Sequence, residues 1–197
     1  MQINDSQNNE IKKYNILLVD DEQDNLALLY RTLRRDFTIF KTVSPLEGLE
    51  IVKENDIDLI ISDHKMDEMD GVEFLKRTCT IKPNCIRLLV TAYSDSHILI
   101  DAINSGNIYK YIKKPWEPSE LQLTVNTAME YYKLKTENDK LIYDLKSLFS
   151  GTINAIMDAL EAKNPYAVGQ NKKIIFCAKK LAEQLNFSQN ERGKIEL

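Results

Sequence analysis

Histidine and cysteine are both scarce in this chain, and neither is spaced as metal ligands usually are. The two histidines are His64 and His97, and the three cysteines are Cys79, Cys85 and Cys177. An odd number of widely separated cysteines indicates reduced thiols. No apolar run approaches membrane-spanning length, and the polar residues 1–11 lack a signal-peptide pattern. We therefore expect a cytoplasmic protein with a flexible tail over residues 1–11, without a histidine-rich metal site or a membrane span.

An excess of positive charge is also missing. The formal net charge is −4, so the composition gives no electrostatic reason to expect nucleic-acid binding. With 43% hydrophobic and 28% charged residues, the composition is typical of a globular protein. A chain of 197 residues can build one good core and a second small unit.

Five short apolar runs alternate with segments of helical spacing. Ser44 and Pro45 have the residue types of a helix N-cap and first helical position, and further short helices are predicted near residues 71–77 and 95–105. Continuous apolar runs of this kind are typical of buried parallel strands covered by helices on both faces. The runs are NILLVDDE, FTIFKTV, IDLIIS, CIRLLVT and IYKYI.

A last helix is predicted to begin at Glu117-Pro118 and to continue for about 30 residues until Gly151. Its apolar positions shift register near residues 131–134 and then include Leu134, Leu141, Leu145 and Leu148, with Asn138 in the same seam. Two interpretations stay open: either this helix pairs with the same helix of a second copy of the chain, or it packs against its own chain.

Acidic, hydroxyl and ammonium groups follow the predicted strands. In open parallel sheets the functional groups lie at the carboxyl ends of the strands. Asp20 and Asp21 end the first run, Asp63 the third and Thr91 the fourth, and Lys114 follows the fifth. Three carboxylates at one edge repel each other, and oxygen ligands of this kind suit Mg²⁺, or Mn²⁺. A carboxylate can attack a phosphoryl group, while the metal, Lys114 and Thr91 neutralise and bind its oxygens.

The strings LLVDDE, IISDHKMDEMDGVEFL, LLVTAYSD and IYKYIKKPWEPSEL resemble, in order and spacing, the receiver domains of two-component response regulators. The resemblance covers about residues 14–130 and implies a flavodoxin-like sheet in the order 2-1-3-4-5. It implies that Asp63 is the phosphoacceptor and that Thr91 and Lys114 sense the phosphoryl group. Asp20, Asp21, Asp63 and the backbone carbonyl of Lys65 would hold the metal, with Asp21 as a direct ligand.

The same resemblance assigns further roles. Tyr111 matches the aromatic residue that changes rotamer on activation, and the Lys114-Pro115 bond is expected to be cis. Lys65 and Tyr93 match positions that tune the lifetime of the phosphoryl group. Met66-Asp67 stands where the family usually has Met-Pro, so we expect a more mobile loop with a working site. His64 and His97 are interpreted as surface or loop residues.

Residues 151–197 resemble the first two helices of HD-GYP domains, which hydrolyse cyclic di-GMP. The motif ALEAKNPYAVG is present, but Gln170-Asn171 replaces the His-Ser pair that usually follows it. A complete binuclear site needs several histidines, and none occurs after His97. This segment is therefore expected not to be catalytic. The string AKKLAEQLNFSQNERGKIEL also resembles a helix-turn-helix, with Leu181-Ala182 in its first helix and Ser188 opening its second, although Gly193 fits a recognition helix poorly.

These observations predict a non-enzymatic response regulator in which a sensor histidine kinase or phosphotransfer protein phosphorylates Asp63. The expected parts are a tail at 1–11, a receiver domain at 12–130, a linker helix at 131–150 and the HD-GYP-like helical segment at 151–197. We expect a homodimer through the last receiver helix and the linker. A fragment of a cyclic di-GMP phosphodiesterase, or a DNA-binding regulator acting through the C-terminal helices, are the alternatives.

Overall fold

The computed structural model describes residues 13–92, 107–163 and 170–185. The elements are β1 Asn15–Val19, α1 Gln23–Leu33, β2 Thr38–Thr42, α2 Pro45–Glu54, β3 Leu59–Asp63, α3 Gly71–Ile81, β4 Ile86–Thr91, β5 Lys110–Lys113, α4 Pro118–Lys163 and α5 Gln170–Gln184. The chain divides into two compact units, Met1–Lys135 and Thr136–Leu197. The predicted helix at 95–105 lies outside the described residues.

The first unit contains a five-stranded parallel sheet in the order β2-β1-β3-β4-β5. This confirms the predicted α/β fold and strand order. Alternate residues of β1 point to opposite faces, with Leu18 in one core and Leu17 in the other. Apolar residues of α1 and of the first turns of α4 cover one face, and those of α2 and α3 cover the other. The sheet is therefore doubly wound, and all strands end at one edge.

Local signals in the sequence explain where two of the helices begin. The backbone N–H of Glu47 donates to the Ser44 side chain, and Pro45 occupies the first helical turn of α2. Asp70 has the same capping role for α3, where it accepts from the backbone N–H of Glu73 at 2.8 Å. The predicted cap at Ser44-Pro45 is confirmed.

The last receiver helix is longer than predicted. The expected end at Gly151 is wrong, because α4 continues through this glycine to Lys163 and has 46 residues. A glycine inside a helix makes the helix less stable than alanine does by only about 1 kcal/mol. Neighbouring residues with high helix propensity can therefore keep the helix continuous through a glycine. A Cβ at Gly151 would meet no atom within 4 Å. Among the residues with described placement, no helix has both the length and the apolar character needed to cross a membrane.

Candidate functional site

The carboxyl ends of the strands form a cleft of about 250 Å³. Asp63 is the last residue of β3 and Thr91 the last of β4, while Lys114 follows β5 directly. The structure thus brings the groups predicted from the strand ends to one edge of the sheet. The lining residues are Asp21, Glu22, Asp63, His64, Lys65, Thr91, Ala92 and Lys114.

Three carboxylates lie together at this edge. Oxygen atoms of Asp20, Asp21 and Asp63 are all within 4.8 Å of one another. Asp20 is fully buried and Asp63 is 7% exposed, whereas Asp21 is exposed to solvent. Asp20 is held in place by its Oδ1, which accepts from the Glu22 backbone N–H at 2.9 Å and from Asn25 Nδ2 at 3.1 Å. Asn25 and Glu22 had not been identified from the sequence as neighbours of the site.

One ammonium group bridges two of the carboxylates. Lys114 Nζ lies 2.6 Å from Asp63 Oδ1 and 3.4 Å from Asp20 Oδ2. The backbone N–H of Lys114 donates to the Thr91 carbonyl at 2.8 Å, which fixes the end of β5 against β4. The Lys114-Pro115 peptide bond is cis, as expected. Lys114 therefore offsets part of the repulsion among the three carboxylates.

The ionisation of two groups reflects this crowding. Burial raises the pKa of Asp20 and the charge of Asp63 adds to the effect, although hydrogen bonds from Glu22 and Asn25 and the charge of Lys114 oppose it. Burial lowers the pKa of Lys114, but the hydrogen bond to Asp63 and the charges of Asp20 and Asp63 outweigh that cost, so the net pKa is raised. Lys114 therefore stays charged beside Asp63 at neutral pH.

The donor set fits a hard divalent cation. Carboxylate oxygens are the ligands that Mg²⁺ prefers, and Mn²⁺ accepts the same set. Asp20, Asp21 and Asp63 supply such oxygens within a small volume, and Lys65, whose carbonyl was predicted as a further ligand, lines the same cleft. A cation at this position would further relieve the repulsion among the three carboxylates.

His64 lies in the loop directly after β3, which is one of the two predicted places, but it is buried and not at the surface. Its side chain is only 8% exposed, and its Nδ1 lies 3.3 Å from Thr91 Oγ1. Thr91 is itself buried, and its hydroxyl also donates to the Ala92 carbonyl at 3.0 Å. The one available signal was the position of His64 directly after Asp63, at the end of a fully buried strand.

The remaining predicted residues lie at different distances from the cleft. Lys65 lines it, whereas Tyr111 lies on β5 with 46% of its surface exposed and is not among the lining residues. Tyr93 and His97 lie outside the described residues. The loop after Asp63 is linked to α2, because Ser44 Oγ donates to Glu68 Oε2 at 2.5 Å. The greater mobility expected from Met66-Asp67 stays a prediction.

A doubly wound parallel sheet with an acidic, lysine-containing cleft at its strand ends defines a flavodoxin-like α/β protein. The chain belongs to the response regulator receiver domain family, whose sequence model matches residues 16–126. This confirms the receiver part of the resemblance seen in the sequence. The HD-GYP-like part lies beyond the matched residues.

Known proteins agree with this assignment. The hydrogenase transcriptional regulatory protein HoxA of Bradyrhizobium diazoefficiens is 34% identical over 142 residues, which is 72% of this chain and 29% of HoxA. The crystal structure of an adenylate cyclase from Rhodopirellula baltica is 30% identical with a TM-score of 0.64, over 66% of this chain and 97% of that one. The signal receiver domain of an HD domain-containing protein from Pseudomonas fluorescens Pf-5 is 32% identical with a TM-score of 0.60, over 64% of this chain and 93% of that one. The chain spans less than a third of the length of HoxA.

Proposed function

We propose that Asp63 accepts a phosphoryl group from a sensor histidine kinase or a phosphotransfer protein in a two-component system. The observation that carries the proposal is the position of Lys114 Nζ, 2.6 Å from the Asp63 carboxylate, within a cluster of three carboxylates. A carboxylate held beside a fixed cation and a metal-ligating pair can act as a nucleophile toward phosphorus. Membership of the receiver family supports this assignment.

The roles of the residues follow from their chemistry. A carboxylate oxygen of Asp63 attacks phosphorus, the bond from phosphorus to the donor breaks, and the donor leaves with that electron pair. Lys114 then pairs with a phosphoryl oxygen, and the Thr91 hydroxyl donates a hydrogen bond to another. Mg²⁺ or Mn²⁺, held by Asp20, Asp21, Asp63 and the Lys65 carbonyl, supplies charge neutralisation of the phosphoryl oxygens. By their positions in the receiver family, Lys65 and Tyr93 are proposed to tune the phosphoryl lifetime and Tyr111 to be the switch aromatic.

Phosphorylation by a small acyl-phosphate donor tests the proposal. In the presence of magnesium, intact mass should show a gain of one phosphoryl group on the wild-type chain. No gain is expected for Asp63→Asn, which keeps the size of the side chain but removes its nucleophilic charge. A chelator should abolish the gain. An equal gain in Asp63→Asn would place the acceptor elsewhere.

Magnesium binding is measured independently of phosphorylation. Consider a ligand that binds only the folded state and whose free concentration is ten times its dissociation constant. Such a ligand adds about 1.4 kcal/mol to the free energy of unfolding. We expect the melting temperature of the wild-type chain to rise with magnesium, and the rise to be lost in Asp21→Asn. Asp21 is suited to this test because its exposed side chain can be changed without opening the core. An unchanged rise in Asp21→Asn would remove this residue from the proposed ligands.

The signal is proposed to leave the receiver through α4, in a homodimer formed by the last receiver helix and the linker at 131–150. Leu134, Leu141, Leu145 and Leu148 are 65–69% exposed in the single chain, which supports pairing with a second copy. Light scattering should show a change of oligomeric state on phosphorylation, and a variant cut after Glu130 should lose it. If the cut variant keeps the same change, α4 is not the relay.

Residues 151–197 are proposed to be a non-catalytic helical segment of HD-GYP origin, following the tail at 1–11, the receiver at 12–130 and the linker. The similarity to the receiver of an HD domain-containing protein supports that origin. The protein is proposed to act in the cytoplasm without enzymatic activity of its own beyond turnover of its phosphoryl group. Neither cyclic di-GMP hydrolysis nor DNA binding is favoured. Hydrolysis of cyclic di-GMP by the purified chain, or a DNA mobility shift after phosphorylation, would reverse that preference.

A further inference from the structure

The backbone of His64 is fixed by hydrogen bonds on two sides, and its side chain lies at the edge of the cleft. Its N–H donates to the Val90 carbonyl of β4 at 2.9 Å, and its carbonyl accepts from the Gly71 N–H at 2.8 Å. The residue is therefore fixed between β4 and the start of α3, and its ring is 8% exposed. A group anchored in this way can hold a neighbouring atom in a defined position.

One contact of the His64 ring is with the Thr91 hydroxyl oxygen. This oxygen carries one proton and can accept two hydrogen bonds. The Ala92 carbonyl, 3.0 Å away, can only accept, so the Thr91 hydroxyl donates its one hydrogen bond to it. With the Thr91 proton directed at Ala92, the contact at 3.3 Å requires the tautomer in which the Nδ1–H of His64 donates to Thr91 Oγ1.

The same assignment of protons suits a phosphorylated Asp63. Phosphoryl oxygens only accept, so Thr91 can bind one of them only by redirecting its single proton away from Ala92. The lone pair that accepts from His64 is not needed for this change. The imidazole N–H can therefore hold the oxygen in place while the proton turns from Ala92 to the phosphoryl group. Hydrogen bonds arranged in such a chain also strengthen one another.

We propose that His64 is a positioning residue that donates to Thr91 and holds its hydroxyl ready for the phosphoryl group. The inference rests on the proposed phosphorylation of Asp63 and adds a residue to it. His64 does not touch the phosphoryl group itself and acts through Thr91. The competing explanation is that the ring only fills space between β4 and α3.

Three substitutions separate a positioning role from a packing role. The amide nitrogen of His64→Asn lies near the place of Nδ1, and that of His64→Gln near the place of Nε2. His64→Phe keeps a flat ring and removes every donor. One hydrogen bond contributes about 1 kcal/mol, so its loss corresponds to about a fivefold change in rate. With magnesium and a small acyl-phosphate donor, we expect phosphorylation to slow about fivefold in His64→Phe and His64→Gln. The rate in His64→Asn should stay within about twofold of wild type.

A second series in the Thr91→Val background completes the test. Valine keeps the shape of threonine and removes the hydroxyl, so the substitutions at His64 should no longer change the rate by more than about twofold. A fivefold loss that persists in this background would overturn the positioning role. Equal rates for His64→Asn and His64→Phe in the wild-type background would also overturn it. If His64→Phe does not fold, as judged by circular dichroism and urea unfolding, the comparison of His64→Asn with His64→Gln decides.

The outcome also separates this inference from the function on which it rests. A wild-type chain that gains no phosphoryl group, or a gain that survives Asp63→Asn, overturns the proposed function and the role of His64 with it. If the phosphoryl gain depends on Asp63 but its rate is the same with and without a hydrogen-bond donor at position 64, only the role of His64 is overturned.

Discussion

At the scale of single residues, Gly71 controls the position of the proposed phosphoacceptor. A Cβ at Gly71 would lie 1.9 Å from the Asp63 carbonyl oxygen and 2.9 Å from Leu89 Cδ1. The carbonyl belongs to the backbone of a central strand and cannot move aside without shifting β3. We expect Gly71→Ala to lower the free energy of unfolding by about 2–3 kcal/mol. Urea unfolding followed by circular dichroism measures this loss.

Gly48→Ala is the matched control for that experiment. A Cβ at Gly48 would meet the Phe74 ring at 3.1 Å, which requires a shift of a few tenths of an ångström. Gly48 lies inside α2, where replacing glycine by alanine gains about 1 kcal/mol of helix propensity and offsets the crowding. The free energy of unfolding should therefore change little. Equal losses in the two variants would show that the contact with Asp63 is not the cause.

The site residues differed in how well the sequence predicted them. Asp20, Asp21, Asp63, Thr91 and Lys114 could be found because each ends or follows an apolar run, and parallel strands end at the same edge. The burial of His64 beside Thr91 was not predicted, because the direction of the first side chain beyond a strand depends on loop geometry. The hydrogen bonds of Asn25 and Glu22 to Asp20 come from the turn into α1, which no apolar pattern describes.

At the scale of helices and strands, local chemistry predicted where helices begin better than where they end. A side-chain cap such as Ser44 acts within three residues, so its signal is contained in the sequence itself. The end of α4 is different. Gly151 weakens a helix only slightly, and the residues around it decide whether the helix continues. The helix runs on to Lys163 for this reason.

The end of α3 depends on a buried arginine in the neighbouring strand. Arg87 donates through Nε to Thr78 Oγ1 at 2.9 Å, through Nη2 to the Thr78 and Lys82 carbonyls, and through Nη1 to the Cys85 carbonyl at 2.7 Å. The Thr78 carbonyl also accepts from the Lys82 N–H at 2.8 Å and the Lys82 carbonyl from the Cys85 N–H at 3.2 Å, so Arg87 adds a second donor to each. We expect Arg87→Met to lower the free energy of unfolding by about 1–3 kcal/mol, because Thr78 Oγ1 and the Cys85 carbonyl lose a buried donor and two further carbonyls keep only one. Urea unfolding provides the measurement.

Arg77→Met is the control for the arginine substitution. Arg77 forms a surface pair with Glu73 at 2.8 Å, and both side chains are about half exposed. Exposed pairs of this type contribute little, so the change should stay within about 0.5 kcal/mol. If Arg87→Met is equally mild, the guanidinium does not support the end of α3. Arg87→Lys should resemble Arg87→Met, because one ammonium cannot reach all of these acceptors.

At the scale of the whole molecule, the receiver was predictable and the C-terminal segment was not. Five apolar runs separated by helices leave few ways to build a parallel sheet, and the family motifs specify the order that the structure has. The second unit offers less information. Its exposed apolar residues on α4 fit either a second copy or another partner, since a short amphipathic pattern does not identify what it packs against.

The stability of the receiver unit should fall in alkaline solution. Burial raises the pKa of Cys85 from its ordinary 9.0 to about 12, and the charge of Asp58 adds to it, against opposing effects of Arg87 and Lys82. Burial, the charge of Asp58 and a hydrogen bond to Asp58 likewise raise the pKa of Tyr132 from 10.0 to about 12. Both groups bind their protons more tightly in the folded state. Each group therefore makes its full contribution to the free energy of unfolding below its unfolded pKa, which is 9.0 for Cys85 and 10.0 for Tyr132. That contribution is lost as the pH rises toward 12.

Between pH 9 and 10, the buried thiol accounts for most of this loss. We expect it to lower the free energy of unfolding by about 1 kcal/mol over that interval, as determined by urea unfolding at pH 8, 9 and 10. Cys85→Val removes the titrating group and should flatten the dependence, whatever its effect on stability at pH 8. Cys177 is exposed, so Cys177→Ser should keep the wild-type slope. Parallel slopes in all three chains would mean that the Cys85 thiolate is tolerated in the fold. The packing of β4 against α3 would then be more open to water than the burial of Cys85 indicates.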